Sequence, residues 1–336
     1  MTTLNRISGE TTFKLDSISP FFSKSDLDYL TSSYCDSERR RHRMCFHQDT
    51  DKLLHDIIIC YDNNTYVPPN KHVGKVESIL ILQGTIAFFV FSDDGLLIEE
   101  HILSATDKSM PFYLRVPPNT WHGLLVISEE PCIMKETVQG PYDKSTLLWA
   151  DFAPSEADGN GNLWYKENCL NKLSKSSLEA WKPNYRKESD NVFYSTSMIK
   201  TFGLQESALL VSAAQSSPLK RSRLCMHDNS NDSIQEMFIV LSHGCTIPES
   251  IHVGKDESLV VIEGSGEYNF PDSNSSIIRN LKLSPFENLD HSNASFARIN
   301  RYVSHQVVVT SPYMLIYEST TGPFRSQDTM YKGRDY

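Results

Sequence analysis

The 336-residue chain has a formal net charge of −10, 39% hydrophobic residues and a mean hydropathy of −0.37. That acidic balance argues against a general nucleic-acid binder, which needs a basic face to displace counterions. The most apolar run, Ile79 to Phe91, is short and broken by Gln83, Gly84 and Thr85, so no bilayer span is expected. Seven cysteines, an odd number without a Cys-x-x-Cys pair, fit a reducing compartment. The first residues lack the basic-then-apolar layout of a signal peptide, so a cytoplasmic protein without membrane or nucleic-acid partners is expected.

In chain order, Ser23 to Ser33 reads as an opening helix. Short β-branched and apolar runs follow at Ile57–Tyr61, Ser78–Leu82, Ile86–Phe91, Tyr113–Val116, Leu124–Ile127 and Cys132–Val138. Turn residues separate them at intervals of about 8–12 residues, the pattern of an all-β barrel or jelly roll. Several runs are apolar on both faces, which places them in a packed double sheet. A stretch rich in Gly, Asn, Lys and Ser, 155–190, reads as a connector with a short helix over Leu170 to Trp181. A second helix is predicted at Gln205 to Gln215. It is followed by strands at Met237–Leu241, Ser258–Ile262, Gln306–Val309 and Met314–Glu318.

The two series belong to one repeat. His72-Val-Gly-Lys-Val-Glu77-Ser78 recurs as His252-Val-Gly-Lys-Asp-Glu257-Ser258, and the same offset of 180 pairs Arg41, Arg43, Cys45 and His47 with Arg221, Arg223, Cys225 and His227. A repeat dictates architecture. Two units are expected, at 1–154 and 191–336, joined by 155–190 and pairing with each other inside one chain; a homodimer is the alternative assembly.

The chemistry-bearing residues recur with the repeat. His72 and Glu77 flank a four-residue connection containing Gly74, a spacing that suits a β-hairpin. Alternation then turns Glu77, Ile79 and Ile81 to one face. His122 supplies a third donor, and the second unit offers His252, Glu257 and His305. Two imidazoles and a carboxylate suit one divalent metal per barrel, Fe, Mn, Ni or Zn.

These residues carry a resemblance. Tyr66-Val67-Pro68-Pro69-Asn70-Lys71-His72-x4-Glu77-x6-Gly84 resembles the first cupin motif, and Pro117-x-Asn119-x2-His122 the second. The flanks, Arg41-x-Arg43-x-Cys45-x-His47 upstream and Glu136 to Gly140-Pro141-Tyr142 downstream, are similar to the WbuC-type cupin metalloproteins, and Glu318 with Gly322-Pro323-Phe324 repeats the latter. The resemblance implies a mainly β protein of two tandem cupin barrels (double-stranded β-helix or jelly roll), each preceded by a short helix and holding an interior metal. WbuC-type members are associated with cell-surface polysaccharide clusters, which implies a sugar-like substrate. The sequence departs from the motifs in three places. A usual His is replaced by Asn70 and Ser250, leaving three protein ligands per site. The second motif's Gly is replaced by Asn119, a residue that tolerates positive φ. In the second unit both the Pro and the Gly are gone, at Asn300 and Tyr302, and 270–300 is a longer Asn/Ser-rich excursion, so the first unit is expected to be the working site.

Other residues have two readings. Asn70 would orient substrate or water. Arg41 and Arg43 would meet a phosphate or carboxylate, or serve as a charged strand edge. His47 and His227 would touch substrate or be hydrogen-bonded structural groups. Trp121 would line the pocket or pack in the core. Lys75 and Lys255 read as solvated turn residues, and Tyr142 as closing the barrel. No phosphate-binding glycine loop and no Gly-x-Ser-x-Gly elbow is present. The expected function is a metal-dependent enzyme on a small polar substrate, with an Fe(II) oxygenase and a non-catalytic small-ligand binder as alternatives.

Overall fold

The computed structural model describes residues 3–6, 12–16, 20–33, 37, 39–172, 184–245, 247–274 and 276–332. The helix expected over Leu170 to Trp181 lies mostly outside these residues.

The first unit is a two-sheet barrel. One sheet sets Arg41–Cys45, Leu54–Tyr61, Cys132–Gln139, Glu77–Gln83 and Tyr113–Val116 side by side; the other orders Leu147–Trp149, Asn70–His72, Trp121–Val126, Thr85–Phe91 and Leu97–Ser104. Period-2 alternation aims Ile57, Ile59, Ile79 and Ile81 from the first sheet at Ile86, Phe88, Val90, Leu124 and Val126 from the second, all buried. The second unit repeats this plan, with a core of Leu241, Leu259, Val261, Tyr268, Val307 and Ile316. Within 270–300, Ile277–Leu283 pairs antiparallel with Gly266–Pro271, and Asn293–Ile299 occupies the place of Tyr113–Val116.

Strands extend each first sheet past its expected start. Thr12–Asp16 runs parallel to Arg41–Cys45, and Val192–Ser195 runs parallel to Arg221–Cys225 at the equivalent register. Tyr185–Ser189, assigned by composition to the connector, hairpins onto Val192–Ser195. The connector's first half packs on the first barrel: in the helix Gly161–Asn168, Tyr165 is fully buried and donates its hydroxyl to Val67 O at 3.0 Å. Only a glycine at 123 allows this, since a Cβ there would meet that hydroxyl at 1.9 Å.

The two barrels pair by exchanging edges. Phe21–Ser23 adds antiparallel to Asn293–Ile299 of the second barrel, and Lys200–Phe202 adds antiparallel to Tyr113–Val116 of the first. The helices that follow, Lys24–Ser33 and Leu204–Ser216, lay Leu30, Leu210 and Ala214 into one core shared with Phe22, Phe46, Phe202, Phe238 and Phe296. Between the barrels lies a buried ionic network. Asp56 holds Lys135 at 2.7 Å and Arg298 of the other barrel at 2.5 Å; Glu236 binds Arg115 of the first barrel and accepts from Ser78 at 3.0 Å. Such charges are tolerable inside only because each is paired and hydrogen-bonded. The intramolecular cupin pair is thus built into the chain. No described helix is long and apolar enough to cross a membrane.

Candidate metal centre

His72 and Glu77 do not sit on two strands of a hairpin. Asn70–His72 pairs with Trp121–Val126 and Leu147–Trp149 in one sheet, whereas Glu77–Gln83 pairs with Cys132–Gln139 and Tyr113–Val116 in the other. The four-residue connection therefore steps from sheet to sheet at the barrel mouth, so the two side chains face each other across the interior. Gly74 takes φ +69° there, and its N–H donates to Asn119 Oδ1 at 3.0 Å. Asn119 adopts φ +64° and donates its own N–H to His72 O at 2.9 Å. The cupin turn survives without its glycine.

The three donors of each set lie within 4.8 Å of one another. In the first barrel Nε2 of both His72 and His122 stands 3.0 Å from Glu77 Oε2. His122 Nδ1 contacts Thr120 O at 2.9 Å, which as a donated bond fixes the tautomer with a bare Nε2 inward. Glu77 Oε2 is buried without a well-directed hydrogen bond. Two imidazole nitrogens converging on a carboxylate oxygen at these distances suit either a shared proton or a cation held among them. The donor set fits a divalent metal. Burial pushes the Glu77 carboxyl up, but His72 and His122 outweigh it and hold it below the usual range. His72 is raised: burial opposes, and the Glu77 charge prevails.

The second barrel keeps the set with different support. His252 Nε2 is 2.8 Å from Glu257 Oε2, while His305 Nε2 is 3.8 Å from Oε1. Tyr268, at the place of Phe88, donates its hydroxyl to Oε1 at 3.0 Å. His305 Nδ1 contacts Val303 O at 3.0 Å, and His252 Nδ1 contacts Thr329 Oγ1 at 3.0 Å.

Each centre opens to a cavity, of about 900 Å³ in the first barrel and about 490 Å³ in the second. Asn70, Arg41, Arg43 and Tyr142 line the first with the three donors. Lys255 lines the second, whereas Lys75 hydrogen-bonds Pro141 O. Two expected substrate contacts are not brought to the cavity. Alternation that points His122 inward turns Trp121 outward, where it packs on Phe152 with Lys71 over its ring. His47 stacks on His55 at 4.1 Å with its Nδ1 3.2 Å from Asp56 O, and burial pushes its pKa down to about 3. It is a structural histidine of the barrel interface. His227 shares that depressed pKa but reaches the second cavity.

The structure adds three residues that were not expected at the site. Glu136 lines the first cavity, pushed up to about 7 by burial and the Glu77 charge; Glu318 repeats it in the second at about 8, raised by burial and Glu257. Glu156 arrives from the connector to pair with Arg41 at 3.0 Å. The repeat offset exposes the Tyr268/Phe88 difference in the sequence; nothing local signals Glu156.

A family model described as a domain of unknown function, DUF6016, matches residues 22–103 and 205–283, one stretch in each barrel. No curated protein matches the chain. Among solved structures, a variant of the salicylate 1,2-dioxygenase of Pseudoaminobacter salicylatoxidans superposes with a TM-score of 0.61 at 11% identity, covering 95% of this chain and 90% of that one. The same enzyme with gentisate adducts gives 0.60 at 12% identity, covering 94% and 85%. At such identities the likeness establishes the architecture alone: the chain has a tandem-cupin, or bicupin, fold. Within that class it carries one His–Glu–His set per barrel.

Proposed function

We propose that this bicupin is a divalent-metal enzyme acting on a small polar molecule in the first barrel. The observation that carries the reading is Glu77 Oε2, buried and equidistant from two inward imidazole nitrogens at the floor of an open cavity. His72, Glu77 and His122 would hold the metal. A Lewis-acidic ion there would polarise a substrate hydroxyl or carbonyl, and a redox-active one would admit dioxygen chemistry. The chain's own part is to orient substrate through Asn70 and the arginines, and to exclude water with the walls of Ile79, Leu124 and Met134. The similarity of the flanks to WbuC-type cupins favours sugar derivatives of cell-surface polysaccharide metabolism as one substrate class to test. The free cysteines among the described residues favour a cytoplasmic setting.

A second reading, an Fe(II) oxygenase, draws on the missing fourth ligand. With Asn70 where a His is usual, a six-coordinate ion keeps room for a chelating substrate and one more small molecule. The structural neighbours, a salicylate 1,2-dioxygenase and its gentisate adducts, add aromatic hydroxy acids to the substrates worth offering.

Elemental analysis of the wild type, His72→Ala and His252→Ala tests both readings. Two metal equivalents are expected, one per set, each variant losing its own. Oxygen uptake with bound iron selects the oxygenase; zinc or manganese without uptake selects Lewis-acid chemistry. A protein that takes up no metal under any loading condition is the small-ligand binder instead.

A further inference from the structure

We infer that the first barrel takes a small organic acid whose carboxylate docks on Arg43, an inference that rests on the metal-centre reading and names its substrate class. Arg41 and Arg43 are two residues apart on Arg41–Cys45, so they share its inward face, and both line the cavity with the three metal donors. Their circumstances differ. Arg41 is buried, donates to Tyr66 O at 3.3 Å and is neutralised by Glu156 at 3.0 Å. The half-buried guanidinium of Arg43 makes no hydrogen bond and no close ion pair among the described residues, and Glu136 in the same wall feels its charge only at longer range.

A partly desolvated guanidinium without a counter-anion is costly unless something else supplies one. The strand-edge explanation open to the sequence does not apply, because Thr12–Asp16 covers that edge in parallel register, Thr12 beside Arg43. The second barrel keeps the residue but not its burial, since Arg223 is exposed. Arg223 lines its cavity, its guanidinium likewise makes no hydrogen bond or ion pair among the described residues, and Val192–Ser195 covers its strand. Glu156 on Arg41 displays the group that fits this wall, a carboxylate.

Charge points the same way. Two neutral imidazoles and one carboxylate would leave a divalent ion one net positive charge, with Arg43 and Glu136 side by side in the wall above it. An acid that chelates the ion through a hydroxyl or oxo group while its carboxylate reaches Arg43 satisfies both. A cavity of about 900 Å³ admits an aromatic or sugar acid.

The test is calorimetric titration of the metal-loaded protein with mandelate and with 1-phenyl-1,2-ethanediol, the same skeleton with the carboxylate replaced by a hydroxymethyl group. Malate and galacturonate extend the acid series. The wild type should prefer mandelate. Arg43→Gln should weaken it by about tenfold to a hundredfold, the worth of a charge-assisted hydrogen-bonded pair, while leaving diol binding and metal content as they were. Arg43→Lys should fall between, and it carries the test if Arg43→Gln does not fold. Equal preference for mandelate in wild type and Arg43→Gln overturns the inference, as does a wild type that binds none of the acids. Acid selectivity that depends on Arg43 in a protein that never binds metal would keep the carboxylate site and discard the metal centre.

Discussion

The two barrels share three ligands and differ in what holds the carboxylate among them. In the first, the aromatic at the key position is Phe88, whose ring stacks on His122 at 5.5 Å and offers Glu77 nothing; Glu77 Oε2 stands evenly between both imidazoles. In the second, the Tyr268 hydroxyl fixes Glu257 Oε1, and the carboxylate leans toward His252. Their surroundings also diverge: the connector brings Glu156 and its neighbours over the first cavity, while Arg221 and Arg223 at the second are exposed. Loss of the motif's Pro and Gly did not dismantle the second centre. Tyr302 takes φ +69° and donates its N–H to His252 O at 2.7 Å, as Asn119 does for His72. A tyrosine in that region costs about 1–3 kcal/mol, and since its side chain is 68% exposed, the N–H bond to His252 O rather than packing holds the turn. Duplication preserved the ligands and let their supports drift.

The comparison is broken most severely at the interface. Asp56 and Glu236 occupy equivalent positions, and the arginine each meets has a second carboxylate, Asp256 at 3.1 Å from Arg298 and Asp232 at 3.6 Å from Arg115; Asp56 alone also answers a buried lysine, Lys135. Asp56→Ala should destabilise by about 5 kcal/mol and Glu236→Ala by about 3 kcal/mol, the range for orphaning a buried charge. Urea unfolding measures both; equal costs would mean that the two halves of the network are equivalent. Burial pushes Asp56 up, but Lys135 and Arg298 hold it down to about 2. Its contribution is therefore complete above the ordinary carboxylate range and is lost as pH falls through about 2.

A smaller effect isolates the carboxylate support. Tyr268→Phe makes the second centre resemble the first, and should lower metal affinity there by about tenfold to a hundredfold, as loss of an outer hydrogen bond to a ligand does. The first site should keep its affinity. Competition with a chelator, read in a His72→Ala background so that only the second site reports, measures it. An unchanged affinity would show that the hydroxyl does not orient Glu257.

The sequence revealed the barrels where apolar strands carry the repeat, and failed where pairing is long-range or one face is wet. Leu97–Ser104 escaped because its Ile98-Glu99-Glu100-His101 segment belongs to a sheet edge with polar residues turned outward. The exchanged strands Phe21–Ser23 and Lys200–Phe202 are three residues long, and their partners lie in the other unit. A four-residue gap between His72 and Glu77 fits a hairpin and a sheet-to-sheet step equally, so only coordinates separate them. The candidate donors stood out in the sequence because their chemistry repeats at a fixed spacing. Of the two readings open for Trp121, packing follows from a rule already in use: a residue adjacent to an inward histidine points outward.

The smallest effect lies in the opening helices, which differ in how they satisfy the first turn. In Lys24–Ser33, Asp26 accepts from both Ser23 N at 2.9 Å and Ser23 Oγ at 2.6 Å; in Leu204–Ser216, Glu206 has the Gly203 N–H at 2.9 Å, since glycine brings no hydroxyl. Burial raises both carboxyls, Glu206 to about 7. Between the ordinary glutamate range and about pH 7 the unfolded chain releases this proton while the folded chain keeps it. Stability due to the neutral acid is thus present at low pH and lost as pH rises through about 7. Glu206→Gln keeps an acceptor for Gly203 N but cannot ionise. It should be more stable than wild type by roughly 1 kcal/mol at pH 8 and indistinguishable near pH 4, since part of the burial penalty relaxes on ionisation. Urea midpoints across pH 4–8 read this out. Parallel profiles for variant and wild type would mean that Glu206 titrates alike in both states, and that the two helix starts are electrostatically equivalent despite the missing hydroxyl.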